Sequence, residues 1–468
     1  MTALWTSAEA AEATGGNNTA PWQASGVSID SRTVQAGDLF IAIKGPNLDG
    51  HAYVARAFAE GAVAAMVTEA DNPTGPLLMV SDTTEGMAAL ARHARQRSTA
   101  KITAVTGSAG KTGTKDALAL VLGRQGETAA TSGNLNNHWG LPLSLARLPR
   151  DAQFGVFEMG MSAPGEIAPL SQLARPEVAI ITNVESAHLE FFESEEGIAD
   201  AKAEIFAGMD ADGTAVLNRD NRHFERLSRH AAEAGITRVL TFGAHDAADF
   251  QLAAIDIQPT HSRVSARIQG RSIAYTIGAP GRHWAMNSLA VLAAVTALGA
   301  DLDDAMQALA DVSPPKGRGS RTSVRLNAGS FLLIDESYNA SPASMRVALN
   351  VLGSATGRRI AVLGDMRELG SQAPELHAGL ADSIAENEID LVFLAGENMA
   401  HLARALGHDL CAAHGPDSAT ILPIVRDAVR SGDVVMVKGS LGSNMAPIVS
   451  ALAALDRDAG ATAMAGGR

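Results

Sequence analysis

The sequence predicts an α/β protein built from three domains, on three observations. Short apolar, β-branched runs alternate with Ala- and Leu-rich helical stretches along most of the chain, the pattern of parallel sheets covered by helices. A length of 468 residues suits about three domains, each large enough for its own core. One stretch, Phe250 to Ile277, alternates instead at period two, which places an antiparallel hairpin among otherwise parallel strands.

The first domain, residues 1–99, is read as a small α/β unit. Asp38–Ile43 and Ala62–Val67 are extended runs, with a helical pattern from His51 to Glu60 between them. The second domain, 100–319, opens with the β-branched run Ile102–Val105 and a helical pattern from Lys115 to Leu122. Apolar strands at Phe154–Phe157 and Val178–Thr182 then predict a doubly wound parallel sheet. Val264, Ala266 and Ile268 alternate, as do Ile273, Tyr275 and Ile277, around Gln269-Gly270-Arg271, which makes the hairpin. The breakers in Ser313-Pro-Pro-Lys-Gly-Arg-Gly319 mark the next boundary. In the third domain, 320–468, strands at Phe331–Asp335, Ile360–Gly364, Leu391–Ala395 and Val434–Val437 predict a Rossmann-like α/β domain without a dinucleotide fingerprint. The tail after Asp456, rich in Gly and Ala, is expected to fray.

Composition narrows the classes of function. With 46% hydrophobic and 19% charged residues the chain is globular, not disordered. Its single cysteine, Cys411, excludes an intramolecular disulfide and suits a reducing compartment. The N-terminus lacks the basic and apolar regions of a signal peptide, and no apolar run reaches the ~20 residues of a membrane span, so a cytoplasmic protein is expected. A net charge of −14 speaks against a nucleic-acid partner, which would need a basic stripe. It does not speak against a nucleotide, whose phosphates need only a few placed cations and amides.

Such a site is present. Thr106-Gly107-Ser108-Ala109-Gly110-Lys111-Thr112-Gly113 lies between the Ile102–Val105 strand and the following helix. Strand, glycine loop and helix N-terminus together cradle phosphates. The loop is shortened, because Gly107 and Gly110 enclose two residues where the standard loop has four, and Val105 stands at the outer glycine position. Lys111 would reach the β/γ-phosphates and Thr112 would ligate Mg²⁺, so the chain is read as binding ATP.

Further candidates lie at the ends of the next strands, the edge where open α/β sheets bind ligands. Glu158, just past Phe154–Phe157, could hold Mg²⁺ opposite Thr112. His188 follows Val178–Thr182 and could be a metal ligand or an ordinary packed side chain. Ile198, Lys202, Ile205 and Met209 form one helical stripe with a lysine inside it. Either that lysine snorkels to the surface, or burial lowers its pKa and its neutral amine takes up CO₂ as a metal-binding carbamate.

In combination these motifs resemble the Mur ligases, the ATP-dependent amide-forming enzymes of peptidoglycan precursor synthesis. The shortened loop, Glu158, His188 and Lys202 in Asp200-Ala-Lys-Ala-Glu-Ile-Phe206 match family positions, and the resemblance runs over nearly the whole chain. Asp30-Ser31-Arg32, Gly37-Asp-Leu-Phe40 and Asp49-Gly50-His51 look like the N-terminal domain that receives a UDP-sugar. Gly133-Asn134-Leu-Asn136-Asn137-His-Trp-Gly-Leu-Pro142, Asp335-Glu-Ser-Tyr338-Asn339-Ala-Ser-Pro342 and Gly364-Asp-Met-Arg-Glu-Leu-Gly370 look like the pentapeptide-forming branch. The diaminopimelate-adding branch carries Asp-Asn-Pro-Arg in its C-terminal domain; Asp71-Asn-Pro-Thr74 lies in the wrong domain and lacks the arginine.

The resemblance implies two Mg²⁺ sites, one held by Thr112 and Glu158, the other by His188 and a carbamate on Lys202. It implies that Arg318 touches the γ-phosphate, that Asp335 accepts from the ribose and that Asn287 lies on the adenine side. Ser31, Arg32, Asp49, Gly50, His51, Asn134, Asn136, Asn137, Tyr338 and Asn339 would be substrate contacts. The implied reaction phosphorylates the acceptor carboxylate of UDP-N-acetylmuramoyl-tripeptide, and the amine of D-alanyl-D-alanine then displaces phosphate while the C-terminal domain closes to exclude water. A monomer is expected. Departures are Trp284, where many relatives carry asparagine, and Leu441, where many carry arginine. The alternatives are the tripeptide-forming sister, a folylpolyglutamate synthase-like ligase, against which the Asp30–Arg32 domain speaks, and a non-catalytic ATP switch, which would not need a second metal constellation.

Overall fold

The structure, a computed structural model, describes residues 3–45, 48–69, 75–185, 192 and 194–456. It divides into two compact units, residues 1–184 with 199–312, and residues 185–198 with 313–468.

The first unit carries two main sheets. A five-stranded sheet has the order Asn17–Asn18, Leu77–Met79, Ala64–Val67, Asp38–Ile41, Gly26–Ser28, parallel except at the Asn17–Asn18 edge. Asp38–Ile41 and Ala64–Val67 are buried at every position, which is why they read as unbroken apolar runs. The helical pattern at 51–60 resolves into a 3₁₀ turn, Gly50–Tyr53, followed by the helix Val54–Ala59.

The second sheet has nine strands. From one edge they run Thr128–Ala130, Phe154–Glu158, Lys101–Thr106, Val178–Ile181, Thr214–Asn218, Arg238–Gly243, Phe250–Ile257, Ser262–Ile268 and Arg271–Ile277. The first seven pair in parallel and the last three form an antiparallel meander. The sequence suggested a lone hairpin; Phe250–Ile257 is its third strand, with a register break between Leu252 and Ala254. The hairpin turns at Gln269 and Gly270, whose φ of +48° and +84° suit a tight two-residue connection. Arg282–Leu298 is apolar on nearly all sides and lies in the core of this sheet, with Ala290 to Val295 fully buried beside Leu118, Val121 and Leu122 of the helix Lys111–Gly123.

The second unit holds a six-stranded sheet in the order Ser320–Arg325, Ser330–Glu336, Asp433–Lys438, Arg358–Gly364, Leu391–Ala395, Cys411–Gly415. Only Ser320–Arg325 runs antiparallel. It and Cys411–Gly415 were not legible as strands, because both are edges with mixed polar composition.

The stripe through Lys202 needs correction. The helix spans Glu195–Ala203 and tightens into a 3₁₀ turn at Glu204–Gly208, so Met209 lies beyond it in extended backbone and is half-buried. Ile198 and Ile205 are buried as the stripe requires, and Lys202 is buried with them.

Candidate active site

The phosphate loop leaves the strand Lys101–Thr106, flanked in the sheet by Phe154–Glu158 and Val178–Ile181. Gly107 has φ +150°, and a Cβ there would lie 1.9 Å from the Thr182 hydroxyl, so only glycine lets the chain turn over the next strand. Thr182 donates to the carbonyls of Ala109 at 2.6 Å and Thr106 at 3.2 Å, and the Ser108 N–H donates to Asn183 O at 2.8 Å. These bonds hold the loop at the N-terminus of the helix Lys111–Gly123, where first-turn N–H groups and the helix dipole favour an anion. Lys111 Nζ donates to Gly107 O at 2.6 Å and so lies against the loop.

Parallel pairing of Glu158 with Val105 brings the strand end to the first turn of this helix. The Thr112 hydroxyl donates to Glu158 Oε2 at 2.8 Å, and Asn136 Nδ2 donates to Oε1 at 2.8 Å. Glu158 is 1% exposed, both donors are neutral, and no described cation pairs with it. A buried carboxylate without a cationic partner is costly, so the donor set fits a hard divalent cation brought in with phosphate. Among the described residues no group of three His, Cys, Asp or Glu converges as a metal cage.

Lys202 is 2% exposed, and its ammonium is disfavoured first by burial and then by repulsion from Lys111, which together hold its pKa well below the lysine range. The snorkelling alternative is therefore excluded. Asp200, two residues earlier, anchors this helix through Arg226 and through His230 at 2.8 Å. Glu204, just after it, accepts from the N–H groups of Gly165, Ile167 and Ala168. His188 lies outside the described residues.

The three asparagines of the 134–137 loop separate in role. Asn136 reaches Glu158, Asn137 accepts from the Gly140 N–H at 2.9 Å and so caps the helix Gly140–Ala146, and Asn134 is exposed. Asn287 lies beside the loop, its amide about 3 Å from where a Cβ on Gly110 would stand. Trp284 is 5% exposed, and its ring lies 2.9 Å from where a Cβ on Gly113 would stand. The indole fills the space beneath the loop helix. Trp284→Leu is expected to lower stability by about 1–3 kcal/mol through the cavity it leaves, with ATP affinity unchanged. A thermal melt beside an ATP titration checks this, and lost affinity at unchanged melting temperature would make the ring a wall of the nucleotide site.

In the five-stranded-sheet region Arg32 makes a bidentate pair with Asp30, whose carboxyl is pulled down to about 2, chiefly by those bonds. Ser31 beside it is buried. Asp49 caps the Gly50–Tyr53 turn and accepts from His51 Nδ1 at 2.6 Å. The Thr68 N–H donates to His51 Nε2 at 3.0 Å, so the ring is held between Thr68 and Asp49.

In the second unit Asp335 accepts from the N–H groups of Gly317 and Ser337 and from the Ser337 hydroxyl. Arg318 stacks 4.1 Å over the Tyr338 ring, and Asn339 accepts from the Ala340 N–H at 2.9 Å through its own side chain. A cavity of about 500 Å³ is lined by Asp365, Arg367, Glu397, Asn398 and Asp417 among others. Its wall at Gly364–Gly370 is fixed by His377, which burial keeps neutral and whose Nε2 accepts from the Met366 N–H at 3.0 Å. Sequence reading had not found Thr131, Thr182 or His377; their roles depend on which strands lie side by side.

Fold and site together define a phosphate-loop α/β protein with a buried carboxylate–hydroxyl pair beside its loop. Family models described as the Mur ligase family catalytic domain, the Mur ligase middle domain and the Mur ligase glutamate ligase domain match residues 23–106, 105–295 and 320–441. The UDP-N-acetylmuramoyl-tripeptide–D-alanyl-D-alanine ligase of Bacillus subtilis is 35% identical, over 91% of this chain and 93% of that protein. The chain belongs to the Mur ligase family. Among solved structures, MurF from Acinetobacter baumannii superposes with a TM-score of 0.84 at 29% identity, covering 96% of this chain and 98% of that one. MurF from Thermotoga maritima in complex with ADP does so at 0.77 and 27%, covering 92% and 98%. No described helix is long and apolar enough to cross a membrane.

Proposed function

We propose that the chain is an ADP-forming carboxylate–amine ligase that joins D-alanyl-D-alanine to UDP-N-acetylmuramoyl-tripeptide, giving the pentapeptide precursor of peptidoglycan in the bacterial cytoplasm. The observation that carries this is the Thr112–Glu158 pair beside the phosphate loop, in a chain that aligns with ligases of that name over nine-tenths of its length. A monomer working through domains at 1–99, 100–319 and 320–468 is part of the same reading.

A peptide carboxylate is a poor electrophile, because an attacking amine would have to expel oxide. Phosphoryl transfer from ATP turns it into an acyl phosphate, whose leaving group is phosphate. Attacking carboxylate and γ-phosphate are both anions. The loop amides and Lys111 take up their charge, and Mg²⁺, when bound, screens their approach. Thr112 and Glu158 would hold one ion, oriented by Asn136; His188 and carbamylated Lys202 would hold the other. The carbamate forms when the neutral Lys202 amine adds to CO₂ and gives up one proton to solvent. Arg318 is proposed for the γ-phosphate, Asp335 for the ribose, Asn287 for the adenine side, and Tyr338 and Asn339 for substrate. Ser31, Arg32, Asp49, Gly50 and His51 are proposed for the UDP-sugar. The 500 Å³ cavity suits the zwitterionic dipeptide, with Arg367 toward its carboxylate and Glu397 toward its ammonium.

The expected result is that ADP and phosphate appear only when ATP, UDP-N-acetylmuramoyl-tripeptide and D-alanyl-D-alanine are all present. Phosphate release is measured with D-alanyl-D-alanine, diaminopimelate and glutamate as rival amines. Better turnover with diaminopimelate and the dipeptide precursor would assign the chain to the sister ligase, and turnover with no amine would favour a nucleotide switch.

A further inference from the structure

Lys115 is a buried charge that the reaction as described does not use. It sits on the phosphate-loop helix one turn beyond Thr112, is 3% exposed, and pairs with its neighbour Asp116. At i+3 from Thr112 it projects from the same side of the helix. Its Nζ donates to the backbone carbonyl of Thr131 at 2.8 Å. Thr131, just beyond the edge strand Thr128–Ala130, is itself buried and fully engaged. Its N–H donates to Val156 O at 3.0 Å, and its hydroxyl accepts the Glu158 N–H at 3.0 Å.

These bonds close a circuit. It runs from Thr112 along one helical turn to Lys115, across to Thr131, across again to the Glu158 backbone, and back from the Glu158 carboxylate to the Thr112 hydroxyl. Every member is at most 8% exposed. Thr128–Ala130 is an edge strand that pairs on one side only, with Phe154–Val156. Nothing else in the circuit ties the Thr131 end of that strand to the helix. A lysine suits the task because its long stem spans from helix to strand and its ammonium, neutralised by Asp116, makes a charge-assisted bond to a carbonyl.

We propose that Lys115 is a positioning residue that sets the separation between Thr112 and Glu158, and so tunes the affinity of that pair for a divalent cation. The proposal rests on the reading of Thr112 and Glu158 as metal ligands, and its test keeps the two apart. Outer-shell partners of metal ligands typically change affinity by about 10–100-fold. Because Lys115 acts through Thr131, the lower end of that range is expected.

The experiment measures Mn²⁺ binding to the full-length protein with saturating ADP, from the electron paramagnetic resonance signal of free Mn²⁺, alongside the melting temperature and steady-state kinetics. Lys115→Met keeps the stem and removes the donor. It should weaken Mn²⁺ binding about tenfold and raise the Mg²⁺ concentration for half-maximal turnover in parallel, while KM for both peptide substrates stays unchanged. Lys115→Arg, which keeps a charged donor, should recover most of the affinity. Thr131→Val, which removes the acceptor for the Glu158 N–H, should weaken Mn²⁺ binding like Lys115→Met, and it carries the test if Lys115→Met does not fold. Glu158→Gln is the reference: unchanged Mn²⁺ affinity in that variant overturns the metal assignment itself. If Glu158→Gln weakens binding and neither Lys115→Met nor Thr131→Val does, Lys115 is only a structural residue and the proposal fails.

Discussion

Lys111→Ala is expected to lower the rate of phosphate release by roughly 10²–10³-fold, the usual cost of removing one preorganised group from developing charge. The melting temperature should change little. Lys111 is the first residue of its helix, is partly exposed, and lies against the loop through its bond to Gly107 O, so it contributes little packing. The loop keeps its shape without it, since Thr182 and Asn183 hold the backbone from below. The expected signature is thus a folded protein that has lost turnover. A Lys111→Ala protein turning over at near-normal rate would remove the phosphate loop from the reaction.

Lys202→Ala is expected to cost about 10–100-fold or more in activity, as for loss of a metal-binding group. A short carboxylate such as acetate or formate should restore part of it by occupying the vacated position. Removing CO₂ from the buffer should slow the wild-type enzyme, reversibly on adding bicarbonate. Full activity of Lys202→Ala in CO₂-free buffer would mean that no carbamate is needed. Stability supplies a second readout with a definite sign. A lysine whose folded pKa is depressed binds fewer protons when folded than when unfolded, so stability rises with pH between the folded value and about 10.5, where the unfolded side chain titrates. In CO₂-free buffer, Lys202→Met should therefore gain stability relative to wild type near neutral pH, and that gain should shrink as pH rises toward 10. A loss of stability independent of pH would show that the amine makes a favourable contact in its burial site. Higher stability with lower activity is the pattern expected where a buried ionisable group serves function.

Much of the site could be read in the chain because its determinants are local. A β-branched run, two glycines and a helical pattern encode the strand, turn and helix of residues 101–123, and Gly107 and Gly110 both take positive φ where the sequence placed them. Fully buried strands such as Asp38–Ile41 and Val178–Ile181 announce themselves as apolar runs. The carboxylate at the end of Phe154–Glu158 followed from the rule that parallel sheets bind ligands at that edge.

What the amino-acid order determined by itself was the class of fold, the phosphate loop and the residue types available to it. Tertiary structure alone decided which polar groups meet. Glu158 stands 46 residues from Thr112, and their bond exists because Phe154–Glu158 pairs with the loop's own strand in a register that sets Glu158 beside Val105. The same register turned Asn136 toward Glu158 and left Asn137 to cap a helix, though both stand in one asparagine-rich loop. The Trp284 ring lies close to the loop helix because Gly113 leaves room for it, and Lys115 finds a carbonyl because Thr131 lies opposite. Hydrophobic period is a property of neighbouring residues and survives in a one-dimensional reading. A hydrogen bond between strands depends on sheet order and register, which arise only when the whole core assembles.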